Sequence, residues 1–517
     1  MTRLFIGNKS GTGPVVKMLK SDADDPLTTA SDQYGKFLFN SEIQQTGYIR
    51  QIVHVVADFV SFPPSGGTPT SPNQYLYPSG STIANCQAIV NSWTNGGNNF
   101  QLWYFCKEYF GKTYFPLVEV RQFASGDDTF TGPLVNTTTG QVSGTGQAVS
   151  LSGYTAGIAA AAYWDGSAWH LKDAVRVSVN SLMSIYELPD LTDALPNNST
   201  TPVAGQKIIG IDSTIARIAL PGRTVADADP DHYILHENKI PAKVIKAGEV
   251  NVALGGTTTI SSVIPLTKWT YMDFHVKRQT DTEWWQPPYY ASTDEAQSMS
   301  FNYTVSPTGI TITNLANFAI TIRYAICAAS ERGFTAGGSK ILWKGNDGTQ
   351  DFIQIKRPGS HDTTYSLDDI MIDTRLSYMP ILAQGFLNYP TDFPTVISGS
   401  DLFKGNRMAT VSFANPSAMP LLVKSAAIFA GSGVLQNPYD RNFDPRSVWC
   451  VHEVGVSQPG GWTGRASGAS TWANIKTTSV DFYAAGGNPR FFVGSNSSYP
   501  STMLGLKYYV FGIPSSL

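Results

Sequence analysis

Apolar and polar residues alternate with period two along much of the chain. Val175-Arg-Val-Ser-Val179, Phe301-Asn-Tyr-Thr-Val305, Ile310-Thr-Ile-Thr313 and Ile320-Thr-Ile-Arg-Tyr324 each put every second residue on one face, the pattern of a half-buried strand. Between such segments, residues 63–80, 140–146 and 459–468 are rich in Gly, Ser, Thr and Pro. Glycine supplies positive φ and proline fixes φ, so these stretches read as turns and loops. Helical periodicity is scarce: one short helix is predicted over Ser81–Asn91, where Ile83, Ala84, Ala88 and Ile89 fall near one face. The pattern predicts an all-β fold of tandem β-sandwich domains, jelly-roll or immunoglobulin-like, with internal repeats.

Two repeated elements organise the chain. Ile215-Ala-Arg-Ile-Ala-Leu-Pro-Gly222 with Asp231-His-Tyr-Ile-Leu-His236 can be laid over Phe352-Ile-Gln-Ile-Lys-Arg-Pro-Gly359 with Asp368-Asp-Ile-Met-Ile-Asp373, at a constant offset of 137 residues. A looser copy opens the chain: Val15-Val-Lys-Met-Leu19, the acidic turn Asp22-Ala-Asp-Asp-Pro26, then Lys36-Phe-Leu-Phe-Asn-Ser-Glu42. The second element is a strand, a turn holding Asn and another strand, around Asn314, Asn415 and Asn496. Apolar faces must be paired, and a two-layer sandwich is the simplest way to do so. Units are therefore expected at 1–195 (an N-terminal attachment domain long enough to be double), 205–338, 341–432 and 433–517.

Composition narrows the function. Of 517 residues only 15% are charged, against about 25% in an average soluble protein. The formal net charge is −3 with no basic run, which argues against nucleic-acid binding. The opening Met1-Thr-Arg-Leu-Phe-Ile-Gly-Asn8 has three apolar residues before a polar turn, too few for the apolar region of a signal peptide. No apolar run is long enough for a membrane helix, and no membrane insertion is expected. Cys86, Cys106, Cys327 and Cys450 have no metal or redox spacing; buried thiols are the simple reading, and a Cys86–Cys106 bridge the sharper one.

Candidate chemistry is sparse. The acidic cluster Asp22, Asp24 and Asp25 suits calcium in ligand type but not in loop pattern. His232 and His236 would share a metal on a helix, yet Tyr233-Ile-Leu reads as a strand, where residues four apart are about 13 Å apart. Asp273 and His275 lie two apart on a predicted strand and share a face, with Cys327 as a conceivable nucleophile, but no motif fixes a triad. No catalytic residue, metal ligand or cofactor is assigned. The aromatic groups Trp103, Trp164 with Trp169, and Trp284-Trp285-Gln-Pro-Pro-Tyr289-Tyr290 are the binding candidates. The last is expected to be a Pro-containing loop with some rings at the surface. Three readings stay open, in this order: a protein or subunit interface, ordinary core packing, and a host-surface glycan contact.

Arg3-Leu-Phe-Ile-Gly-Asn8, Val15-Val-Lys-Met18, Asp22-Ala-Asp-Asp25 and Tyr34-Gly-Lys-Phe-Leu-Phe-Asn-Ser-Glu42 make the first forty residues resemble virion structural, tail-fibre-like proteins of tailed bacteriophages. The remainder is similar in style only, being modular, β-rich and poor in charge. The resemblance implies a tail- or neck-attached fibre, collar or baseplate component. Such a protein is assembled in the host cytoplasm, held by other virion structural proteins and homo-oligomeric. The alternatives are a receptor-binding adhesin for host glycan, then a capsid decoration protein or a polysaccharide depolymerase. The resemblance carries over no functional residue.

Overall fold

The computed structural model describes residues 3–42, 199–266, 270–286, 301–328, 336–398, 405–430, 471–487 and 503–513, short gaps aside. Between 55 and 186, 290 and 297, and 448 and 466 it describes the backbone of individual strands. The chain is all-β: apart from short 3-10 turns such as Leu367–Asp369, every described element is a strand. The short helix expected over Ser81–Asn91 is not formed as such, because Gln87–Asn95 is a strand paired with Gln74–Tyr77 and Asn98–Cys106. Sheet pairing on both sides outweighs a helical pattern too short to stand alone.

The first repeat is a real structural unit in all three copies. Each is a three-stranded antiparallel sheet: Arg3–Lys9, Gly13–Leu19 and Phe37–Asn40; Ile209–Ile211, Ala216–Ala219 and Tyr233–Leu235; Leu342–Asn346, Asp351–Lys356 and Ile370–Asp373. The register slips at one equivalent point in every copy, after Met18, Ile218 and Ile355, which face Phe39, Leu235 and Ile372. The bulge leaves one extra residue on the third strand, namely Leu38, Ile234 or Met371, and each is buried beside its neighbour Phe39, Leu235 or Ile372. In a regular strand two consecutive side chains point to opposite faces; here the bulge sends both into one core. Just beyond the slip, the amides of Lys20, Leu220 and Arg357 donate to the carbonyls of Lys36, His232 and Asp369 at 3.0, 2.8 and 2.6 Å. In the two closer copies the Pro-Gly turn has φ of +74° at Gly222 and +76° at Gly359, a region open to glycine without penalty.

These copies do not close separate cores. Met18, Ile218 and Ile355, with the bulge residues, belong to one apolar cluster completed by Tyr378, whose ring meets Phe39 edge-on at 5.6 Å. The three sheets together bury one another's inner faces.

Two sandwiches follow, and they share a layer. A nine-stranded sheet runs in the order Ser377–Tyr378, Lys243–Val252, Ile320–Ala328, Tyr271–Arg278, Trp284–Gln286, Thr471–Ile475, Ser479–Ala484, Arg407–Ser412 and Thr395–Val396. Over one half packs the hairpin Phe301–Ser306/Gly309–Asn314, burying Phe301, Tyr303, Ile310 and Ile312 against Met272, Phe274, Val276, Ile320 and Ile322. Over the other half packs Leu421–Ala430 with Met503–Gly512 from a six-stranded sheet, burying Val423, Leu506 and Val510 against Ala473, Ile475, Val480 and Phe482. Sheets thus run across the expected unit boundaries: the nine-stranded sheet draws strands from 205–338, 341–432 and 433–517, and the six-stranded sheet also includes Ala161–Trp164. A sequence repeat marks a motif, whereas a core closes wherever apolar faces meet.

The second repeat is also visible. Asn314 is buried, and its Nδ2 donates to the carbonyls of Ala253 at 2.9 Å and Phe318 at 2.8 Å. Asn415 does the same with Thr477 at 2.8 Å and Met419 at 2.9 Å. In each case one amide holds the residue four further on and a neighbouring turn: the Thr471–Ile475/Ser479–Ala484 hairpin turn for Asn415, and the turn after Lys243–Val252 for Asn314. Asn496 lies outside the described residues.

Candidate inter-sandwich site

The Tyr271–Arg278 strand alternates strictly. Met272, Phe274 and Val276 enter the first sandwich core, so Asp273 and His275 face the other way, towards the second sandwich. In register beside His275 stands Arg323 of the Ile320–Ala328 strand, and beside Tyr271 stands Cys327. The expectation that Asp273 and His275 share a face therefore matches the geometry, and the register adds Cys327 to that face. What they meet there is the backbone edge of another strand.

That edge belongs to Leu421–Ala430. One side pairs with Met503–Gly512 from Leu421 to Phe429, while on the other side Val448–Val451 pairs only from Ala427 onward. Leu421 and Val423 are left with backbone groups that no described strand meets, and a buried unpaired amide or carbonyl is costly. Side chains take the place of the strand. The Val423 amide donates to His275 Nε2 at 3.0 Å, and Arg323 Nη1 donates to the Leu421 carbonyl at 3.4 Å. Lys424 Nζ pairs with Asp273 Oδ1 at 3.0 Å. Arg323 is in turn held by Glu249, at 2.9 Å from Nε and 2.8 Å from Nη2. Its guanidinium carbon lies 4.1 Å from the centroid of the Trp284 ring, a cation–π contact shared with Lys277 at 5.1 Å.

This arrangement sets the protonation state of His275. Because Nε2 accepts the Val423 amide, it carries no proton, and the ring proton of the neutral form sits on Nδ1, which meets no described partner. Burial, followed by the positive charges of Arg323 and Lys424, holds its pKa well below the usual histidine value. A general base needs a free nitrogen facing substrate; here Nε2 is occupied and His275 is 2% exposed. Cys327 is fully buried and its thiol faces the Ala325 carbonyl at 3.8 Å. The chemistry available to this cluster is adhesion between sheets.

The other sequence candidates fall elsewhere. Trp284 was expected in a surface loop but lies in the nine-stranded sheet, flanked by Tyr271–Arg278 and Thr471–Ile475, and is buried in the second core. The described strand ends at Gln286, just before Pro287 and Pro288 in the sequence. Trp285 is half-buried against Tyr483 at 5.8 Å. Trp164 and Trp169 are register partners across a hairpin, and Trp103 pairs with Val90. The side chains of Trp103, Trp164, Trp169 and Tyr290, the whole of Tyr289, and the relation of Cys86 to Cys106 lie outside the described residues.

His232 and His236 are not joined at a metal: His232 Nδ1 meets Asp227 at 3.1 Å, and His236 is buried edge-on to Tyr233 at 4.8 Å. In the first acidic turn Asp24 pairs with Lys36 at 2.7 Å, and Asp25 accepts the Leu27 amide at 2.7 Å. Among the described residues no group of three His, Cys, Asp or Glu is placed to hold a metal ion, and no helix is long and apolar enough to cross a membrane. No family model, curated protein or solved structure matches the chain.

Proposed function

We propose that the chain is a structural component of a tailed-phage virion, a tail- or neck-attached fibre, collar or baseplate protein that assembles with copies of itself and with other virion proteins. The observation that supports this most is how its buried and half-buried polar groups are used. Asp273, His275, Arg323, Lys424, Asn314 and Asn415 join strand to strand and sheet to sheet, as suits a mechanical part. The motif at the amino terminus that resembles phage virion proteins is the first of three copies sharing one core. The outermost strands of two copies carry exposed apolar side chains, with Ile209 at 36%, Ile211 at 42% and Leu342 at 66% exposure. Surfaces of this kind mark contact with a partner when they cluster.

Immunogold electron microscopy of purified particles tests the reading. Label at the tail, neck or baseplate is expected; particles lacking the protein would overturn it. Sedimentation of the purified chain is expected to show an oligomer, and a stable monomer at all concentrations would remove the self-assembly part.

A further inference from the structure

The His275 contact has a second property, because the ring can gain a proton and the groups around it cannot adapt. We propose that His275 is an acid-sensitive latch: adding a proton to its ring releases the first residues of the Leu421–Ala430 strand from the Tyr271–Arg278 strand and loosens the two sandwiches at their shared sheet.

Geometry carries this. Nε2 is the nitrogen that accepts the Val423 amide at 3.0 Å, so a proton added to the neutral ring must go to Nε2, where it opposes that N–H. An accepting contact becomes donor against donor. The surroundings offer the new charge little relief. From the Leu421–Ala430 strand Lys424 faces the ring; from the Ile320–Ala328 strand comes Arg323; on its own strand stand Asp273 and Lys277, and Lys243–Val252 contributes Glu249. The two acids are already paired, Asp273 with Lys424 and Glu249 with Arg323. Moving the strand edge away removes the clash and admits water to the imidazolium. The sign follows from linkage. A histidine whose pKa is depressed in the folded state supports folding fully above the unfolded value, near 6.5. That support is lost as pH falls from there towards the folded value, at most about tenfold in the closed-to-open equilibrium per pH unit.

Hydrogen exchange of the intact chain, read by mass spectrometry on peptides covering 421–430 and normalised to intrinsic rates between about pH 7.5 and 4.5, tests it. Protection of the Val423 region is expected to fall progressively below about pH 6.5. His275→Gln offers a carbonyl oxygen to the same amide and does not titrate, so its protection should stay flat across that range. Equal pH dependence in both proteins, or wild-type protection that does not change, overturns the proposal. If the glutamine variant does not fold, histidine C2–H exchange on the wild-type chain decides. A His275 titration well below 6.5 that coincides with amide exposure supports the latch, and a titration near 6.5 with the amide still protected refutes it.

Discussion

Replacing Asn314 with alanine tests how the repeated sheet-to-sheet turn is held. The side chain makes three short hydrogen bonds, from Nδ2 to the carbonyls of Ala253 (2.9 Å) and Phe318 (2.8 Å) and to Oδ1 from the Ala316 amide (2.8 Å), plus a longer one to Val252 at 3.3 Å. Alanine removes all of them; the Ala316 amide and the Val252 and Phe318 carbonyls are buried, whereas Ala253 is exposed. A buried group left without its partner costs about 1–3 kcal/mol. The amide falls at the upper end, and carbonyls, with a second lone pair, fall lower. The expected total is about 3–5 kcal/mol, a large share of the ~5–15 kcal/mol that holds a typical domain folded. Asn415→Ala should cost a similar amount, since it loses Met419 (2.9 Å), Thr477 (2.8 Å) and the Met419 amide (3.0 Å). Leu315→Ala, next door but 47% exposed, should change stability by less than about 0.5 kcal/mol. Asn314→Asp sharpens the test. A carboxylate can still accept from Ala316 but cannot donate to the carbonyls, so this variant should be weakest at neutral pH and recover partly in acid, once a protonated oxygen can donate. Urea unfolding with midpoint and slope fitted together measures all four. An Asn314→Ala variant within about 0.5 kcal/mol of wild type would refute the reasoning.

Three other outcomes follow from the same geometry. Trp284→Ala should lower stability by about 3–5 kcal/mol, seen as a fall in Tm, because the ring is buried under Arg323 and Lys277; an unchanged Tm would return Trp284 to the ligand candidates. Burial pushes the Glu42 carboxyl up, but hydrogen bonds from the buried Lys17, from Lys9 and from Ser31 outweigh it and hold the pKa at about 2. Its contribution, about 3 kcal/mol at most, is complete above about pH 4.5 and is lost as pH falls towards 2. Stability curves of Glu42→Gln should lose that acid limb, and an identical limb in wild type and variant would contradict the assignment. Gly222→Ala meets both a positive φ of +74° and a Cβ position 2.1 Å from Thr200 Oγ1, whereas Gly205→Ala meets a positive φ of +83° in open space. The second should cost about 1 kcal/mol and the first clearly more in the same unfolding assay; equal costs would count against the Thr200 contact.

Much of the fold was legible because the repeat carries its own signals. The constant offset between the second and third copies reflects turns and bulges at matching points, and the doublets Leu38-Phe39, Ile234-Leu235 and Met371-Ile372 are the trace of the bulge, two adjacent apolar residues where alternation predicts one. Strands such as Ile320–Ala328 follow their alternation, and Asp273 with His275 do share a face. The use of that face was not legible, since it depends on where Val448–Val451 stops pairing, a fact of register far along the chain. Trp284 misled for a similar reason. Its strand has three residues before Pro287, and its burial comes from Thr471–Ile475, a neighbour nearly two hundred residues on. Nor did anything local reveal that three copies share a core, because an apolar residue satisfies its own pattern whether its cover comes from its own unit or another.

That shared core has a consequence in time as well as in space. The cluster that takes in Val16 and Met18 is completed by Ile355, Met371, Ile372 and Tyr378, so during synthesis the first sheet emerges long before the residues that will cover it. Contacts of such sequence separation form slowly, since the intervening loop must be closed before they contribute. Until then its apolar inner face and strand edges are open to other chains. This sheet thus waits for cover that lies far along the chain, and in that interval its inner face is a hold for a chaperone or a neighbouring nascent copy.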